Sequence, residues 1–347
     1  MISLYPVNLL NPCSQLYSLY SLQNSLLLYK ALKILARLAL PFFCRKIIIN
    51  RPELLKHKGP LLLASNHPNS FLDSVILDTL FEQPIWSLAR GDVFKKPFYI
   101  KLLTSLKILP VYRTSEGVEN LSENYKTFEA CLDLFKKKSI VTIFSEGKCI
   151  NEWHLRPLKK GTARLAIRAW DDDIPLTVLP VAINYSSFSR FGKNVFLYFG
   201  DAISKEDISM YETDGLKHAA FNSLLEKQLK QYVYEIPKED KALQKQKLEI
   251  RPSLPGKILL ALPALIGFIL HAPLFLPIKK YVWKRTFKTD HYDSVMVAIL
   301  LFAYPVYLLL LVAVLLLVTG CWWWLLLLLL LPFTAWSYIQ MKPQLDK

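Results

Sequence analysis

Short apolar runs alternate with longer helix-like patterns between residue 46 and about residue 200. A short apolar run bounded by turn residues is typical of a buried strand, whereas a 3.6-residue apolar repeat is typical of a helix. We therefore predict seven strands, at residues 46–50, 60–65, 85–89, 108–112, 139–144, 176–183 and 195–199. Helices are predicted between several of them, near residues 73–82, 118–137 and 161–170. This alternation predicts an α/β domain with a mixed sheet flanked by helices, which we place at residues 45–235.

The C-terminal part of the chain has a different pattern. From Ser294 to Met341, 48 consecutive residues contain no Asp, Glu, Lys, Arg or His. A helix needs about 20 apolar residues to cross a bilayer, so this run predicts two transmembrane helices. We place them at about residues 294–317 and 321–340, divided near Gly320. Residues 236–256 are predicted to be a charged linker, and residues 257–347 a membrane domain.

Residues 258–278 are also apolar, apart from His271, but they contain helix-breaking residues: Pro263, Gly267, Pro273 and Pro277. Five basic residues follow: Lys279, Lys280, Lys284, Arg285 and Lys288. A complete crossing would put these charges on the opposite side from the basic α/β domain, which the positive-inside rule disfavours. We therefore predict a broken hairpin at about residues 258–278, with three complete crossings as the alternative.

The N-terminal residues 25–43 place Lys30, Lys33 and Arg37 on one side of a helix that is otherwise rich in Leu, Ile and Ala. Such a helix would lie in the membrane interface with its basic side toward anionic lipid. The pattern fits equally well a helix that covers the α/β domain. We place this N-terminal interfacial segment at residues 1–44.

Composition narrows the class of protein further. The 347 residues are 52% hydrophobic and carry a net charge of +15. Together with the apolar C-terminal run, these values exclude a disordered chain, a secreted disulfide scaffold and a purely soluble enzyme. A basic chain with membrane segments indicates an anionic phospholipid membrane or phosphorylated substrates as partners. Nucleic acid is not expected, because no basic helix with interleaved aromatic residues is present.

Neither a metal site nor a disulfide framework is predicted. The five cysteines are scattered without a close pair: Cys13, Cys44, Cys131, Cys149 and Cys321. No second His or Cys stands near His67 at the spacing of a ligand pair, so a metal at His67 is not expected either.

The first candidate site is the octapeptide N-H-P-N-S-F-L-D, residues 66–73, directly after a predicted strand. A histidine with a nearby carboxylate is what general-base catalysis requires, because the imidazole takes a proton and the carboxylate fixes its tautomer. His67 and Asp73 are therefore the candidate catalytic pair. The alternative is that Asp73 or Ser70 caps a helix and His67 is an ordinary loop residue.

The second candidate site is F-S-E-G-K, residues 144–148, which also follows a predicted strand. Glu146 supplies a carboxylate, and Gly147 permits a tight turn. Several cations stand at the ends of neighbouring elements: Arg113, Lys148, Arg156, Lys159 and Lys160. Cations grouped beside a general base are typical of a site for a phosphorylated acceptor.

The order N-H-P-N-S-F-L-D, V-Y-R, F-S-E-G, K-K-G and L-P-V-A-I resembles the four-block signature of the glycerolipid acyltransferases, over roughly residues 45–200. The resemblance implies that His67 is the general base, Asp73 its orienting partner and Arg113 a phosphate-binding residue. It places Glu146 and Gly147 in the acceptor-binding block and Pro180 in the last block. It also implies acyl transfer without a metal or cofactor, since the thioester donor is already activated.

The chain departs from the family pattern in two places. Five residues separate His67 from Asp73, where the family usually has four, and Leu72 stands at the expected Asp position. We expect a bulged turn to bring Asp73 back. The longer spacing is similar to that of a glycerol-3-phosphate acyltransferase branch with a hydrophobic C-terminal tail. The third block also lacks its usual Arg, for which Lys148 and Arg156 are the candidate replacements, with Lys160 nearby.

The resemblance implies an O-acyltransferase that transfers a fatty acyl group from acyl-CoA or acyl-carrier protein to glycerol 3-phosphate or dihydroxyacetone phosphate. The alternative acceptor is 1-acylglycerol 3-phosphate, and the alternative of another class is a non-catalytic lipid-binding membrane protein. We expect an integral membrane protein whose catalytic domain faces the cytoplasm. The membrane would be the inner membrane in a bacterium or the endoplasmic reticulum in a eukaryote.

Overall fold

The computed structural model describes residues 24–112 and 121–346. Its central element is a sheet of seven strands: β1 (Cys44–Ile49), β2 (Leu61–Ser65), β3 (Ile85–Arg90), β4 (Ile108–Val111), β5 (Ile140–Phe144), β6 (Thr177–Tyr185) and β7 (Lys193–Phe199). Their order across the sheet is β1-β7-β6-β2-β5-β3-β4. The β6–β7 pair is antiparallel and the other pairs are parallel. The predicted α/β class, the mixed sheet and all seven predicted strands are confirmed.

Helices cover both faces of the sheet: α1 (Asn24–Phe43), α2 (Phe71–Leu80), α3 (Pro97–Ser105), α4 (Leu121–Lys136), α5 (Gly161–Asp171), α6 (Asp214–Lys230) and α7 (Lys241–Leu248). The apolar residues of β2 are completely buried and divide between the two main core clusters, as the alternation of side chains along a strand requires. The nine-residue α3 was not predicted from the sequence, because a segment this short shows little helical periodicity.

The strand register places the two candidate sites side by side. β2 and β5 are parallel neighbours, and Ser65 pairs with Phe144 at their carboxyl ends. On the other side of β2, Ser65 pairs with Val181 of β6. Ligand sites of open α/β sheets commonly lie at the carboxyl ends of the strands. The segments that follow Ser65 and Phe144 therefore meet at one edge of the sheet, as predicted.

Two of the three basic residues of the N-terminal helix α1, Lys33 and Arg37, contact the domain, whereas Lys30 is exposed. The Lys33 side chain is only 8% exposed, and its Nζ lies 3.4 Å from Asp78 Oδ1. Arg37 donates hydrogen bonds to the carbonyl oxygens of Thr79 and Phe81, at 3.0 and 3.1 Å. The predicted orientation, basic side toward lipid, is wrong for both residues. The physical reason is that the last carbonyls of α2 lack helical partners and carry partial negative charge, so they attract cations.

The opposite side of α1 is apolar and faces outward. Leu27, Ile34 and Leu38 are 75%, 57% and 67% exposed. At its end, Phe42 contacts Tyr304 of the long C-terminal helices, with ring centroids 6.0 Å apart. α1 therefore has apolar residues on two sides: Tyr29, Ala36 and Phe43 are buried against the domain, and Leu27, Ile34 and Leu38 face outward.

Three long helices form the C-terminal part: α8 (Leu254–Thr286), α9 (Tyr292–Thr319) and α10 (Leu327–Met341), the last preceded by a 3-10 turn at Trp322–Leu326. Among the described residues, three helical segments are long and apolar enough to cross a membrane: Leu254–Thr286, Tyr292–Thr319 and Trp322–Met341. α9 ends where the sequence predicts a division, with Gly320 in the left-handed conformation at φ 66°.

The break predicted at residues 258–278 is wrong, because α8 is one continuous helix with Pro263, Pro273 and Pro277 inside it. Proline removes one helical hydrogen bond, but a helix packed among apolar neighbours can recover polar contacts from side chains. Side chains bond to two carbonyls in the turn before Pro273, although Pro273 itself removes the donor to the Ile269 carbonyl. The Tyr307 hydroxyl donates to Leu270 O at 2.6 Å, and the His271 ring bonds to Gly267 O at 2.7 Å.

After α10 the chain returns to the α/β domain. Gln344 Oε1 accepts from the Ile250 amide at 2.8 Å, and the Ser186 hydroxyl donates to Gln344 O at 3.0 Å. Asp346 accepts from the Ser187 hydroxyl at 2.6 Å and from the Phe188 amide at 2.9 Å. Both ends of the α9–α10 hairpin therefore contact the domain, since residues 290–294 also lie against it.

Candidate active site

His67 and Asp73 are in direct contact. His67 Nδ1 lies 2.8 Å from Asp73 Oδ2, in the first turn of α2. The Asp73 side chain is completely buried, and the His67 side chain is 16% exposed. An ionised carboxylate can only accept, so Nδ1 carries the proton and donates it. Nε2, which has no hydrogen-bond partner among the described residues, is therefore the nitrogen that can take a substrate proton.

The extra residue between His67 and Asp73 is accommodated by an unusual backbone conformation. Ser70 has φ 51° and ψ −138°, a region that non-glycine residues rarely occupy. Its amide donates to Cys149 Sγ at 2.9 Å, and its hydroxyl bonds to His291 Nδ1 at 2.7 Å. Such strain costs about 1–3 kcal/mol and persists only where neighbouring contacts hold it. The predicted bulged turn is present, and Ser70 makes no helix-cap bond with its side chain.

Two further groups hold the Asp73 carboxylate. The Asn69 amide donates to Oδ2 at 2.9 Å, and the Tyr185 hydroxyl donates to Oδ1 at 2.7 Å. Tyr185 ends β6 and is fully buried, and burial raises its pKa well above the usual value for tyrosine. Its hydroxyl therefore stays protonated and donates. Sequence reasoning missed Tyr185, because only the register of β6 beside β2 brings it to Asp73.

The ring and the backbone of His67 are both fixed by the second candidate segment. The ring stacks on Phe144, with centroids 3.9 Å apart and planes at 13°. The His67 amide donates to Glu146 Oε2 at 2.8 Å. The other carboxylate oxygen of Glu146 accepts from the Arg156 amide, also at 2.8 Å. Glu146 thus joins the segment after β2 to the segment that leads into α5.

Glu146 is almost completely shielded from solvent, since the residue is only 5% exposed. Burial raises the pKa of its carboxyl above the usual value, and the two backbone donors partly oppose this shift. The next residue, Gly147, has φ 68°, a left-handed conformation that favours glycine. A Cβ at this position would lie 3.0 Å from Lys159 Cγ, so a larger residue would also crowd Lys159.

The candidate phosphate-binding cations lie around these segments. Lys148 and Lys160 are exposed, and the Arg156 side chain is half-exposed and pairs with Glu152 at 3.1 Å. Arg113 lies outside the described residues. Two roles stay predictions. They are acceptor binding by Glu146 and Gly147, and phosphate binding by Arg113, Lys148, Arg156 and Lys160.

The histidine–aspartate pair follows a parallel strand, with a glycine turn and cations beside it, as expected from the motifs. The family model for acyltransferases matches residues 46–184. This match covers less than half of the 347 residues.

The individual proteins to which the chain is similar share only 25% and 15% sequence identity with it. The chain is 25% identical over 163 residues to glycerol-3-phosphate O-acyltransferase 2 of Saccharomyces cerevisiae, which is 44% of this chain and 22% of that protein. It thus spans about a fifth of the length of this relative. Among solved structures, the crystal structure of the 1-acyl-sn-glycerophosphate acyltransferase PlsC from Thermotoga maritima matches with a TM-score of 0.43 and 15% identity. That match covers 65% of this chain and 88% of PlsC.

Proposed function

We propose that this protein transfers a fatty acyl group from acyl-CoA or acyl-carrier protein to glycerol 3-phosphate, with dihydroxyacetone phosphate as a second acceptor. The observation that carries the proposal is the 2.8 Å contact between His67 Nδ1 and the buried Asp73 carboxylate, within the residues that match the acyltransferase family model. Because Nδ1 is bound to Asp73, Nε2 is the ring nitrogen that can accept the proton of an acceptor hydroxyl. The ring itself is held by its stacking on Phe144.

The reaction follows from these positions. His67 Nε2 takes the proton of the acceptor hydroxyl while the hydroxyl oxygen attacks the thioester carbonyl carbon. Asp73 stabilises the imidazolium that forms. As the carbonyl is restored, the carbon–sulfur bond breaks, the new ester remains, and the thiolate leaves with the proton of the imidazolium. No residue in this scheme needs a metal or a prosthetic group.

Two features support a glycerol phosphate as acceptor. The cations Lys148, Arg156 and Lys160 lie on the segments next to His67 and suit a phosphate. The longer His67–Asp73 spacing and the apolar C-terminal tail favour glycerol 3-phosphate over 1-acylglycerol 3-phosphate, and a yeast glycerol-3-phosphate acyltransferase is similar in sequence. The second candidate acceptor is 1-acylglycerol 3-phosphate, whose phosphate would occupy the same site.

We also propose that the α9–α10 hairpin crosses the membrane twice and that α8 does not cross it. The segments just before and just after α8 are tied to the α/β domain: the Asn194 side chain donates to Leu248 O at 3.0 Å, and the Asn151 amide donates to Asp290 at 3.1 Å. A helix with both ends on one domain stays on that side of the bilayer. The basic residues 279–288 then lie on the cytoplasmic side with anionic lipid, as the positive-inside rule favours.

The test uses the full chain in proteoliposomes with labelled acyl-CoA or acyl-carrier protein. The acceptors are glycerol 3-phosphate, dihydroxyacetone phosphate and 1-acylglycerol 3-phosphate. His67→Ala should abolish transfer, whereas the matched control His57→Ala, an exposed histidine before β2, should retain it. Transfer that survives in His67→Ala would exclude the mechanism. Transfer to none of the three acceptors by the wild type would leave the non-catalytic lipid-binding alternative.

A further inference from the structure

The connection between α8 and α9 lies against the catalytic turn, residues 66–73. The Asn69 side-chain amide donates to Asp293 Oδ2 at 2.9 Å. The Ser294 hydroxyl accepts from the Leu72 amide at 3.1 Å and donates to Asn69 O at 3.3 Å. The turn that separates His67 from Asp73 is therefore held by residues more than two hundred positions away in sequence.

The same connection also contacts the neighbouring part of the site. His291 Nδ1 bonds to the hydroxyl of Ser70, the residue with the strained backbone, at 2.7 Å. Asp290 accepts from the Asn151 amide at 3.1 Å, on the segment after β5. We call residues 290–294 the clasp, because they bond to both segments that carry the candidate catalytic residues.

At the centre of the clasp is a buried ion pair. Asp293 contacts Lys193 of β7, and their side chains are only 4% and 2% exposed. Burial lowers the pKa of Lys193 to about 7, because a cation loses its hydration there. A buried pair of this kind gains little net stability, since the desolvation of both ions offsets their attraction. In some proteins a buried pair fixes one arrangement, and the arrangement here is the position of the Asp293 carboxylate beside Asn69.

A short series of hydrogen bonds leads from this pair to the imidazole. Asn69 is completely buried, and its side chain is bound to Asp293. The backbone amide of Asn69 donates to Asp73 Oδ2, the same oxygen that accepts from His67 Nδ1. We propose that Asp293 is a positioning residue for the His67–Asp73 pair, so that the segment between the membrane helices completes the active site. This inference rests on the proposed acyl transfer, but its effect on His67 can be measured without turnover.

The experiment compares four variants of the full chain in proteoliposomes: Asp293→Ala, Asp293→Asn, Asp293→Asn with Lys193→Met, and Gln344→Ala. Gln344→Ala is the matched control, because Gln344 also ties the hairpin to the domain, but its side chain bonds to Asn194 and Ile250 and not to the catalytic turn or to Lys193. A displacement of about 1 Å at a reacting group can cost about 100-fold in rate. Asp293→Ala should therefore lower kcat about 100-fold with KM for both substrates nearly unchanged.

The other variants separate positioning from charge. Asp293→Asn keeps an oxygen for Asn69 but leaves Lys193 buried without its counter-ion, so its kcat should fall as well. The double variant keeps that oxygen and removes the unpaired cation, and it should regain kcat to within about tenfold of the wild type. If Asp293 served only folding, each variant would yield less folded protein, but kcat per folded molecule would equal that of the wild type.

A second measurement does not depend on activity. The rate at which diethylpyrocarbonate modifies His67, followed by peptide mass spectrometry, reports how its ring is held. Asp293→Ala should change this rate, while Gln344→Ala should leave it at the wild-type value. Equal kcat and equal modification rates in Asp293→Ala and Gln344→Ala would overturn the inference. If the wild type transferred no acyl group, the modification rates alone would still decide it, while the proposed function would fail separately.

Discussion

The Tyr185 hydroxyl donates a 2.7 Å hydrogen bond to Asp73 Oδ1, from the end of β6 to the first turn of α2. It leaves Oδ2 of the same carboxylate for His67 and the Asn69 amide. Because each oxygen has its own donors, the carboxylate cannot rotate without losing a bond in a buried site. The orientation of His67 therefore depends on Tyr185 of β6, which lies on the other side of β2 from β5.

Tyr185→Phe should lower kcat about tenfold, because Asp73 Oδ1 loses its donor and the carboxylate can rotate. It should also destabilise the fold by about 1–3 kcal/mol, the cost of an unpaired buried acceptor. Steady-state kinetics and thermal unfolding measure the two effects. The control is Tyr234→Phe, which removes a 3.0 Å bond between two hydroxyls, Tyr198 and Tyr234, away from His67. If both variants keep wild-type kcat, the Tyr185 bond does not orient Asp73.

Glu146→Ala should inactivate the protein and destabilise it, because two partly buried backbone amides, of His67 and Arg156, lose their acceptor. An unpaired buried amide costs about 1–3 kcal/mol, and a partly buried one costs less. Glu152→Ala, which removes a carboxylate from the same segment and breaks the partly exposed pair with Arg156, should have a small effect. Thermal unfolding and acyl transfer check both variants. A wild-type melting temperature for Glu146→Ala would refute the bridging role.

The free energy of unfolding should rise with pH between about 7 and 10, because of Lys193. Its pKa is lowered to about 7 in the folded protein, against 10.5 for the free side chain. In this window the unfolded chain binds a proton that the folded protein does not, so each pH unit stabilises the fold by about 1 kcal/mol. The charged or titratable groups facing Lys193 are Asp293, Asp346, Cys44, Lys342 and Asp73.

Thermal unfolding between pH 7 and 9.5 measures this dependence. Lys193→Met should flatten the slope, whereas Lys205→Met, at a half-exposed lysine in a loop, should keep it. If both variants keep the wild-type slope of unfolding free energy against pH, Lys193 does not cause the pH dependence.

The outward side of α1 should contact lipid. A fluorophore attached at Leu38→Cys should be quenched by spin-labelled lipids in proteoliposomes, because Leu38 is 67% exposed on the apolar side of α1. The control is Met210→Cys, a 76% exposed apolar residue in the loop before α6. Both variants are made in a Cys321→Ser background to avoid labelling the hairpin. Equal quenching at the two positions would mean that α1 does not lie at the membrane.

Gly267 should be required for the contact between α8 and α10. A Cβ at this position would lie 2.1 Å from the Thr334 carbonyl oxygen, so even alanine would push the helices apart. Small residues permit this kind of close approach between membrane helices. Gly267→Ala should lower the melting temperature, whereas Gly215→Ala, in α6 with open space around it, should leave it equal or higher.

Much of the domain could be predicted from sequence because its signals are local. Each strand is a short apolar run, and the candidate residues His67 and Glu146 directly follow two of these runs. Parallel neighbours then bring those positions together, as the pairing of Ser65 with Phe144 demonstrates. The return of Asp73 to His67 despite the longer spacing could also be anticipated, because Asp73 is the nearest carboxylate.

The orientation of α1 and the continuity of α8 could not be predicted in the same way. An amphipathic pattern identifies two sides of a helix, but Lys33 and Arg37 face inward because Asp78 and the end of α2 lie there. Proline residues indicate possible breaks, yet α8 continues through Pro263, Pro273 and Pro277 and packs against α9 and α10.

By itself, then, the sequence determined the α/β domain, its strands, the three apolar C-terminal segments and the histidine–aspartate motif, since all of these are patterns of neighbouring residues. Only the tertiary structure decided which distant groups hold that motif: Tyr185 on Asp73, and Asp293 with Lys193 on Asn69. The physical reason is that a hydrogen bond between residues 112 or 224 positions apart depends on strand register and helix docking. No local pattern of apolar and polar residues encodes that register.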